Sequence, residues 1–332
     1  MRAALLAALT ALLVGAPAAG AAANPWIESK PLDIAHQGGE DEFPSNTMYA
    51  FKRSLQVGAD MLELDVGVTK DGQVVVMHDT TVDRTTNGHG TVASFTLEQL
   101  RKLDAAYWFS GGSNAYSHSR PRAAYRLRGV ATRKRRPPAG FTKADFRVPT
   151  LREVLRAFPD TPINVEIKGR TKAEELQEYL TNADALARTL KGTRRHDVIV
   201  VSFKQEAVDR FHQLVPALPV APGIGGAANW LLNGGSPGDG VVAFQLPITY
   251  KLGAQTLQIT TEANVARAHR EGYAWHTWLS DDGESPRIWT SLLDMGVDGV
   301  MTAKPKAFAA LLRKRGAAPK LPAKPPTVPP TP

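Results

Sequence analysis

Apolar runs of strand length alternate with stretches of helical periodicity along most of the chain. The runs LDIAH (32–36), MLELDV (61–66), VVVMHD (74–79), INVEIK (163–168), VIVVSF (198–203), VVAFQL (241–246), YAWHTWL (273–279) and DGVMT (298–302) are short and apolar, as buried strands are. Helical spacing covers 46–57, 151–158, 173–190, 206–214, 261–271 and 286–295, between many of those runs. Alternating strands and helices predict an α/β protein with a parallel sheet.

A weak further strand, PVAPGI at 219–224, brings the candidates to nine, one more than the eight places of a TIM (β/α)8 barrel. One must lie off the wall. The irregularity is expected early, because Thr69-Lys70-Asp71-Gly72 is a turn signal with no room for a helix. The flanking strands form either a hairpin or an extended return to the barrel floor. Residues 66–73 can span roughly 26 Å against about 17 Å for a five-residue strand, so the return is feasible.

The alternation within MLELDV has a chemical consequence. Successive side chains of a strand face opposite ways, so Glu63 and Asp65 share one face while Leu62, Leu64 and Val66 take the other. Two carboxylates in one small space repel unless a cation, a proton or a base lies between them.

At 332 residues, the chain can form one large barrel or two ordinary domains, and composition alone does not choose. The pattern fails between about 105 and 147, a stretch rich in Gly, Ser, Arg and aromatics that is expected to be an insertion after the third strand motif, on a barrel spanning 24–315. Arg120, Arg122, Arg126, Arg128, Arg133, Lys134, Arg135 and Arg136 lie there without an acidic neighbour and supply charge equal to the net +8. Such a run is either a solvated loop or a contact for an anionic membrane or envelope surface. Nucleic acid is not expected, since no recognition motif accompanies the cations.

Residues 1–23 read as a secretory signal: Arg2, an apolar stretch from Ala3 to Val14, and small residues up to Ala23. There is no cysteine, hence neither a lipid-anchoring Cys nor a disulfide, and the expected location is secreted or extracytoplasmic. Residues 316–332 form a Pro-rich tail expected to be disordered.

Side chains at the carboxyl ends of barrel strands gather around one mouth. The first four strand motifs would bring His36, then Glu63 and Asp65, then His78 and Asp79, then Glu166 and Lys168. Glu63, Asp65 and Glu166 offer only oxygen, which suits one hard divalent cation, Mg²⁺ or Ca²⁺, with Mn²⁺ as a further candidate. Pairing of Glu63 and Asp65 with arginines is the plainer alternative. His36 and His78 can act as base and acid on either side of a phosphorus, because imidazole titrates near working pH. Lys168, on the strand face of Glu166, can neutralise a phosphate oxygen. Trp275 and Trp278 lie within one strand motif; packing accounts for either, and Trp278 is taken as the candidate substrate contact. Gly38-Gly39 and Gly223 to Gly226 match no phosphate-binding fingerprint and read as turns or close backbone approaches.

With these residues the sequence resembles the glycerophosphodiester phosphodiesterase family, within the phosphatidylinositol phospholipase C-like barrels. The resemblance runs through IAHQGGEDEFPSNTMYAF, LELDVGVTKDGQVVVMHD with the following RTTNGHGTV, VPTLREVL, INVEIK, VSF and GVDGVMT. It implies His36 and His78 as catalytic acid and base, Glu63, Asp65 and Glu166 as metal ligands, and Lys168 as a phosphate contact. The implied substrates are glycerophosphodiesters, or lysophospholipids with the acyl chain meeting Tyr107, Trp108, Phe109, Tyr116 or Tyr125 of the insertion. Two positions depart from the pattern: Gln37 stands where the family usually has Arg, and Ser45 where it has Glu. Alternatives are a sphingomyelinase D-like enzyme forming a cyclic phosphate, and a noncatalytic binder of anionic envelope polymer.

Overall fold

The computed structural model describes residues 24–27, 31–169, 176–279 and 283–316. The expected signal segment, the tail beyond Gly316 and the expected start of the helix at 173 lie outside those residues. The first half comprises β1 (Leu32–Ala35), α1 (Met48–Val57), β2 (Met61–Val68), β3 (Val74–Val76), α2 (Leu97–Leu100), α3 (Leu151–Ala157), β4 (Ile163–Ile167) and α4 (Leu176–Leu190). There follow β5 (Val198–Val201), α5 (Gln205–Leu214), α6 (Ile224–Asn233), β6 (Ala243–Pro247), β7 (Thr249–Leu252), β8 (Gln255–Gln258), α7 (Glu262–Arg270), β9 (Ala274–Trp278), α8 (Pro286–Asp294), β10 (Gly299–Thr302) and α9 (Pro305–Lys314).

Seven parallel strands curl in the order β5, β4, β2, β1, β10, β9, β6. Val220 joins the two edges, pairing in parallel with Val200 on one side and Val241 on the other. Its neighbourhood completes the backbone ladder: Val200 donates to Pro219, Ala221 to Val200, Val220 to Gly240 and Val242 to Val220. The weak strand at 219–224 is thus a one-residue stave of a TIM-type barrel.

The candidate off the wall is β3, an antiparallel partner of β2 with Val66 opposite Val76 and Val68 opposite Val74. The hairpin alternative holds. It also sets a height: Met77 N donates to the Asp65 carbonyl at 2.9 Å, so the chain returns to the level of Asp65 just before His78.

Strand alternation sorts the side chains as the pattern requires. Leu62, Leu64 and Val66 pack with Ile163, Val165 and Ile167 of β4 against Val154, Tyr179, Leu186 and Phe211 of the outer helices. Inside the barrel, Ile34, Met61, Ile199, Ala243, Ala274 and Met301 pack with Trp26. Caps fix the helices beside the mouth: the Thr47 hydroxyl accepts from Ala50 N at the start of α1, and Thr150 and Glu153 form a capping box on α3.

Two sequence readings need correction. Gly223 to Gly226 are not a turn but the start of α6, although the close approach is real: a Cβ on Gly223 would meet Gln205 N at 2.6 Å. Three of the five aromatics singled out in the insertion turn inward rather than presenting a lipid-facing surface, and Tyr116 reaches outside the insertion, its hydroxyl accepting from Ser45 N and its ring lying against Arg84. Phe109, Tyr116 and Tyr125 are buried, and the Arg128 guanidinium lies over the rings of Tyr125, Tyr107 and Trp108 at 3.9, 4.2 and 4.5 Å. A planar cation offered three π faces holds the loop in place of a larger apolar core. The other seven cations of the run are exposed.

Candidate active site

Strand register builds the acidic centre. Glu63 and Asp65 point into the barrel from β2, and the parallel register sets Asp65 beside Glu166 of β4. Carboxylate oxygens of Glu63, Asp65 and Glu166 lie within 4.8 Å of one another. Lys168, one strand period beyond Glu166, places Nζ 2.8 Å from Glu166 Oε1 and 3.3 Å from Asp65 Oδ1.

The field within this cluster is uneven. Burial and the neighbouring Asp65 raise the Glu63 carboxyl well above the ordinary carboxylate range. Burial opposes ionisation of Asp65 as well, but Lys168 and His78 outweigh it, and its pKa falls below the usual value. Lys168 stays protonated, because Glu166 and Asp65 overcome the cost of burying its charge. Lys168 faces Glu166 and Asp65 directly, and Glu63 keeps a raised pKa, a deficit of positive charge that an oxygen-ligated divalent cation would fill. The donor set fits such an ion.

His36 enters at the end of β1, in a turn where Gln37 has φ 49° and Gly38 and Gly39 have φ 76° and 84°. A Cβ on Gly39 would meet Pro305 Cγ at 2.6 Å, so the turn requires glycine there. The turn directs Gln37 N onto Glu63 Oε2 at 2.6 Å, and His36 Nε2 lies 3.9 Å from the same oxygen. His36 Nδ1 meets Glu40 Oε1 at 2.6 Å. Burial disfavours the imidazolium, but Glu40 and Glu63 outweigh it and push the pKa up to about 10.

His78 has a matching support. Its Nδ1 meets Asp79 Oδ1 at 2.7 Å, and Arg84 donates to both Asp79 oxygens, Nε at 2.6 Å and a terminal nitrogen at 3.1 Å. Burial opposes the Asp79 charge, yet His78 and Arg84 hold its pKa far below the usual range. Each imidazole thus turns Nδ1 to a carboxylate and leaves Nε2 for the mouth.

All seven expected residues find places around one mouth. His36, His78, Glu63, Glu166, Lys168 and Trp278 line a single cavity of about 380 Å³, and Asp65 lies behind the carboxylates with no exposure. Trp278 donates Nε1 to the Gln245 carbonyl at 3.2 Å and meets the Phe203 ring edge-on with centroids 5.8 Å apart. Sequence reasoning missed the supports: Glu40, four residues after His36; Asn46, whose amide donates to Asp65 Oδ2 at 2.8 Å; and Arg84 behind Asp79. The signal for Glu40 was its nearness to His36 across a Gly-Gly turn.

Likeness in sequence gives this barrel its class, a hydrolase of phosphoric diesters. Residues 36–307 match the model of the glycerophosphoryl diester phosphodiesterase family, and the chain belongs to that family. It is 31% identical over 290 residues to a glycerophosphodiester phosphodiesterase of Caldanaerobacter subterraneus subsp. tengcongensis, covering 86% of this chain and 100% of that one. A glycerophosphodiester phosphodiesterase of Bacillus subtilis is 30% identical over 305 residues, covering 90% and 92%. Among solved structures, a phosphodiesterase of Oleispira antarctica in complex with its product sn-glycerol-3-phosphate shares the fold with TM-score 0.61 at 19% identity, covering 86% and 97%. No helix among the described residues is long and apolar enough to cross a membrane.

Proposed function

We propose that this mouth hydrolyses glycerophosphodiesters to a phosphomonoester and an alcohol, with His36 and His78 as the acid and base pair. The observation that carries the reading is the meeting of three carboxylate oxygens within 4.8 Å, between two imidazoles that are each held at Nδ1. Glu63, Asp65 and Glu166 would hold one divalent cation, Mg²⁺ or Ca²⁺. Bound there, the ion supplies Lewis acidity to a nonbridging phosphate oxygen.

The chain's own groups do the rest. Lys168 offers its ammonium to the phosphate, and Trp278 bounds the substrate pocket. One imidazole takes a proton at Nε2 from the attacking hydroxyl while the other delivers one to the departing alkoxide, so the P–O bond to the alcohol breaks as the new P–O bond forms. The attacking hydroxyl belongs to water or to the neighbouring glycerol carbon, the latter passing through a cyclic phosphate. Glu40 and Asp79 keep each imidazole in the tautomer this requires. Family membership favours hydrolysis over noncatalytic envelope binding. The N-terminal signal supports export, and the exposed arginines of the insertion suit contact with an anionic surface once outside.

The test is turnover of glycerophosphocholine by chelator-stripped protein lacking residues 1–23, with Mg²⁺, Ca²⁺ or Mn²⁺ restored singly and phosphorus NMR reading the product. Ion-restored choline release, lowered at least about a hundredfold in both His36→Ala and His78→Ala, is the expected result. A cyclic intermediate in the spectrum identifies the glycerol hydroxyl as nucleophile. Turnover that survives both substitutions would overturn the assignment.

A further inference from the structure

A second hollow opens in the insertion. Its volume is about 460 Å³, and Arg133, Lys134, Arg135, Arg136 and Lys143 line it together with Val130 and Pro137. It shares no lining residue with the catalytic cavity, and no carboxylate reaches it. Asp145, the one acid of the insertion, is taken up by Lys52 and by the backbone and hydroxyl of Thr142. Asp104, just before the insertion, accepts from Gly129 N and Ala106 N. Arg133, Lys134, Arg136 and Lys143 have no ion pair or side-chain hydrogen bond among the described residues.

The backbone holds these cations together. Asp104 Oδ2 accepts from Gly129 N at 2.6 Å, and the Gly129 carbonyl accepts from Lys134 N at 2.8 Å and Arg135 N at 3.1 Å, which closes residues 129–135 into a loop. Arg133 turns that loop at φ 63°, a left-handed conformation uncommon for so large a side chain. Lys143 arrives from a separate short turn, Lys143–Phe146, anchored by the buried Phe146. Desolvation and the charges of Arg133 and Arg147 push the Lys143 pKa below the usual lysine value. Charge needed only for solubility can be spread over a surface, whereas here the fold sets five cations around one concavity, each opposing the others. An anion seated among them relieves the crowding.

We propose that this hollow is a binding site for a compact anion of several linked phosphate groups, free in solution and distinct from the substrate of the mouth. Arg133 and Arg136 can each grip two phosphate oxygens, while Lys134 and Lys143 add charge without fixing direction. Arg135 keeps one nitrogen on the Arg126 carbonyl, which aims the rest of its fork. A single phosphate would leave most of the five cations unmatched. No aromatic side chain lines the hollow, so a nucleotide finds nothing on which to stack its base. A membrane fits less well, because these cations converge from two separately anchored arms rather than lying in a plane. Nor is any large apolar side chain of the insertion exposed to enter lipid. Contact with an anionic surface is left to Arg120, Arg122 and Arg126, outside the hollow. The bound anion cross-links the two arms and stiffens the insertion, whatever the mouth hydrolyses.

The test is calorimetric titration of tripolyphosphate into chelator-stripped protein lacking residues 1–23, in which the acidic mouth repels the probe. Binding at least about tenfold tighter than that of orthophosphate or citrate, and weakening as salt rises, is the expected result. Arg133→Gln/Arg136→Gln should lower the affinity at least about tenfold, and Lys143→Gln, on the other arm, at least about threefold. Both should melt no lower than the parent and keep its ion-restored turnover of glycerophosphocholine. If the double variant melts early, Lys143→Gln carries the comparison. Arg120→Gln/Arg122→Gln removes as much charge outside the hollow and should change the affinity less than about twofold. Tripolyphosphate should also slow proteolytic cutting between 105 and 147 in the parent more than in the variants of the hollow. Absent binding, or equal affinity for citrate or orthophosphate, overturns the proposal. An equal loss in Arg120→Gln/Arg122→Gln shows diffuse attraction only and also overturns it. So does binding to phosphatidylglycerol vesicles that needs Arg133 and Arg136 while tripolyphosphate does not bind, which assigns the cations to a membrane.

Discussion

The hydroxyl of Ser45 donates to the side-chain oxygen of Gln37 at 2.6 Å, and both residues are buried. These are the two positions that depart from the family motifs, where Arg and Glu usually stand. A neutral hydroxyl and a neutral amide thus touch, so the two exchanged positions form one contact.

The exchange predicts strong coupling. Gln37→Arg alone buries a guanidinium opposite a hydroxyl and should cost about 3 to 5 kcal/mol, whereas Gln37→Arg/Ser45→Glu should recover much of that loss. Urea unfolding of the four proteins in a double-mutant cycle measures it. Additive effects would mean the pair does not act as a unit.

Glu63 gives a prediction with two signs. Because burial and Asp65 raise its pKa, Glu63→Gln should leave chelator-stripped protein at least as stable as the parent. The parent should then gain about 2.7 kcal/mol from an ion at about a hundred times its Kd, and the variant much less. Thermal melts with and without Mg²⁺ or Ca²⁺ decide. A variant less stable without ions would contradict the charge crowding.

Arg128 holds the insertion through three rings and a bond from Nε to the Tyr107 carbonyl at 2.9 Å. Arg128→Ala should cost about 2 kcal/mol and speed proteolytic cutting between 105 and 147. Arg128→Lys should restore little, since an ammonium cannot stack on several ring planes. Full rescue by lysine would show that charge alone matters.

His276 is fully buried, and neither ring nitrogen has a hydrogen-bond partner among the described residues. Burial pushes its pKa down from 6.5 to about 4. Between those values the unfolded chain binds a proton that the folded chain does not, so this contribution is complete above about pH 6.5 and is lost as pH falls toward 4. The loss is on the order of 3 kcal/mol. His276→Leu should flatten stability against pH over that window in urea unfolding, and an unchanged slope would place the proton elsewhere.

Much of the site was legible because period-two alternation assigns faces without reference to the rest of the fold. Glu63 and Asp65 on one side, with Leu62 and Leu64 on the other, follow from four consecutive letters. The oxygen-only chemistry of Glu63, Asp65 and Glu166 was equally readable. What alternation cannot give is register, and the pairing of Asp65 with Glu166 depends on it. α6 was hidden because three glycines in its first turns read as punctuation, and the hairpin of β7 and β8 because half its residues are polar and face outward. The Ser45 contact with Gln37 was out of reach, since it needs Gln37 at positive φ, a conformation a glutamine does not announce.

The barrel is laced shut at its far side by the backbone on either side of one residue, Val220. β1, β2 and β4, which carry the carboxylates and His36, sit away from that fastening, within the continuous part of the ladder. α6 begins four residues after Val220, so the part of the cavity wall it supplies hangs from the thinnest point of the ring. Loop exchange there can widen or narrow what the protein accepts while the spacing of its charged groups stays fixed. Selectivity and chemistry are thus separately adjustable in one continuous chain.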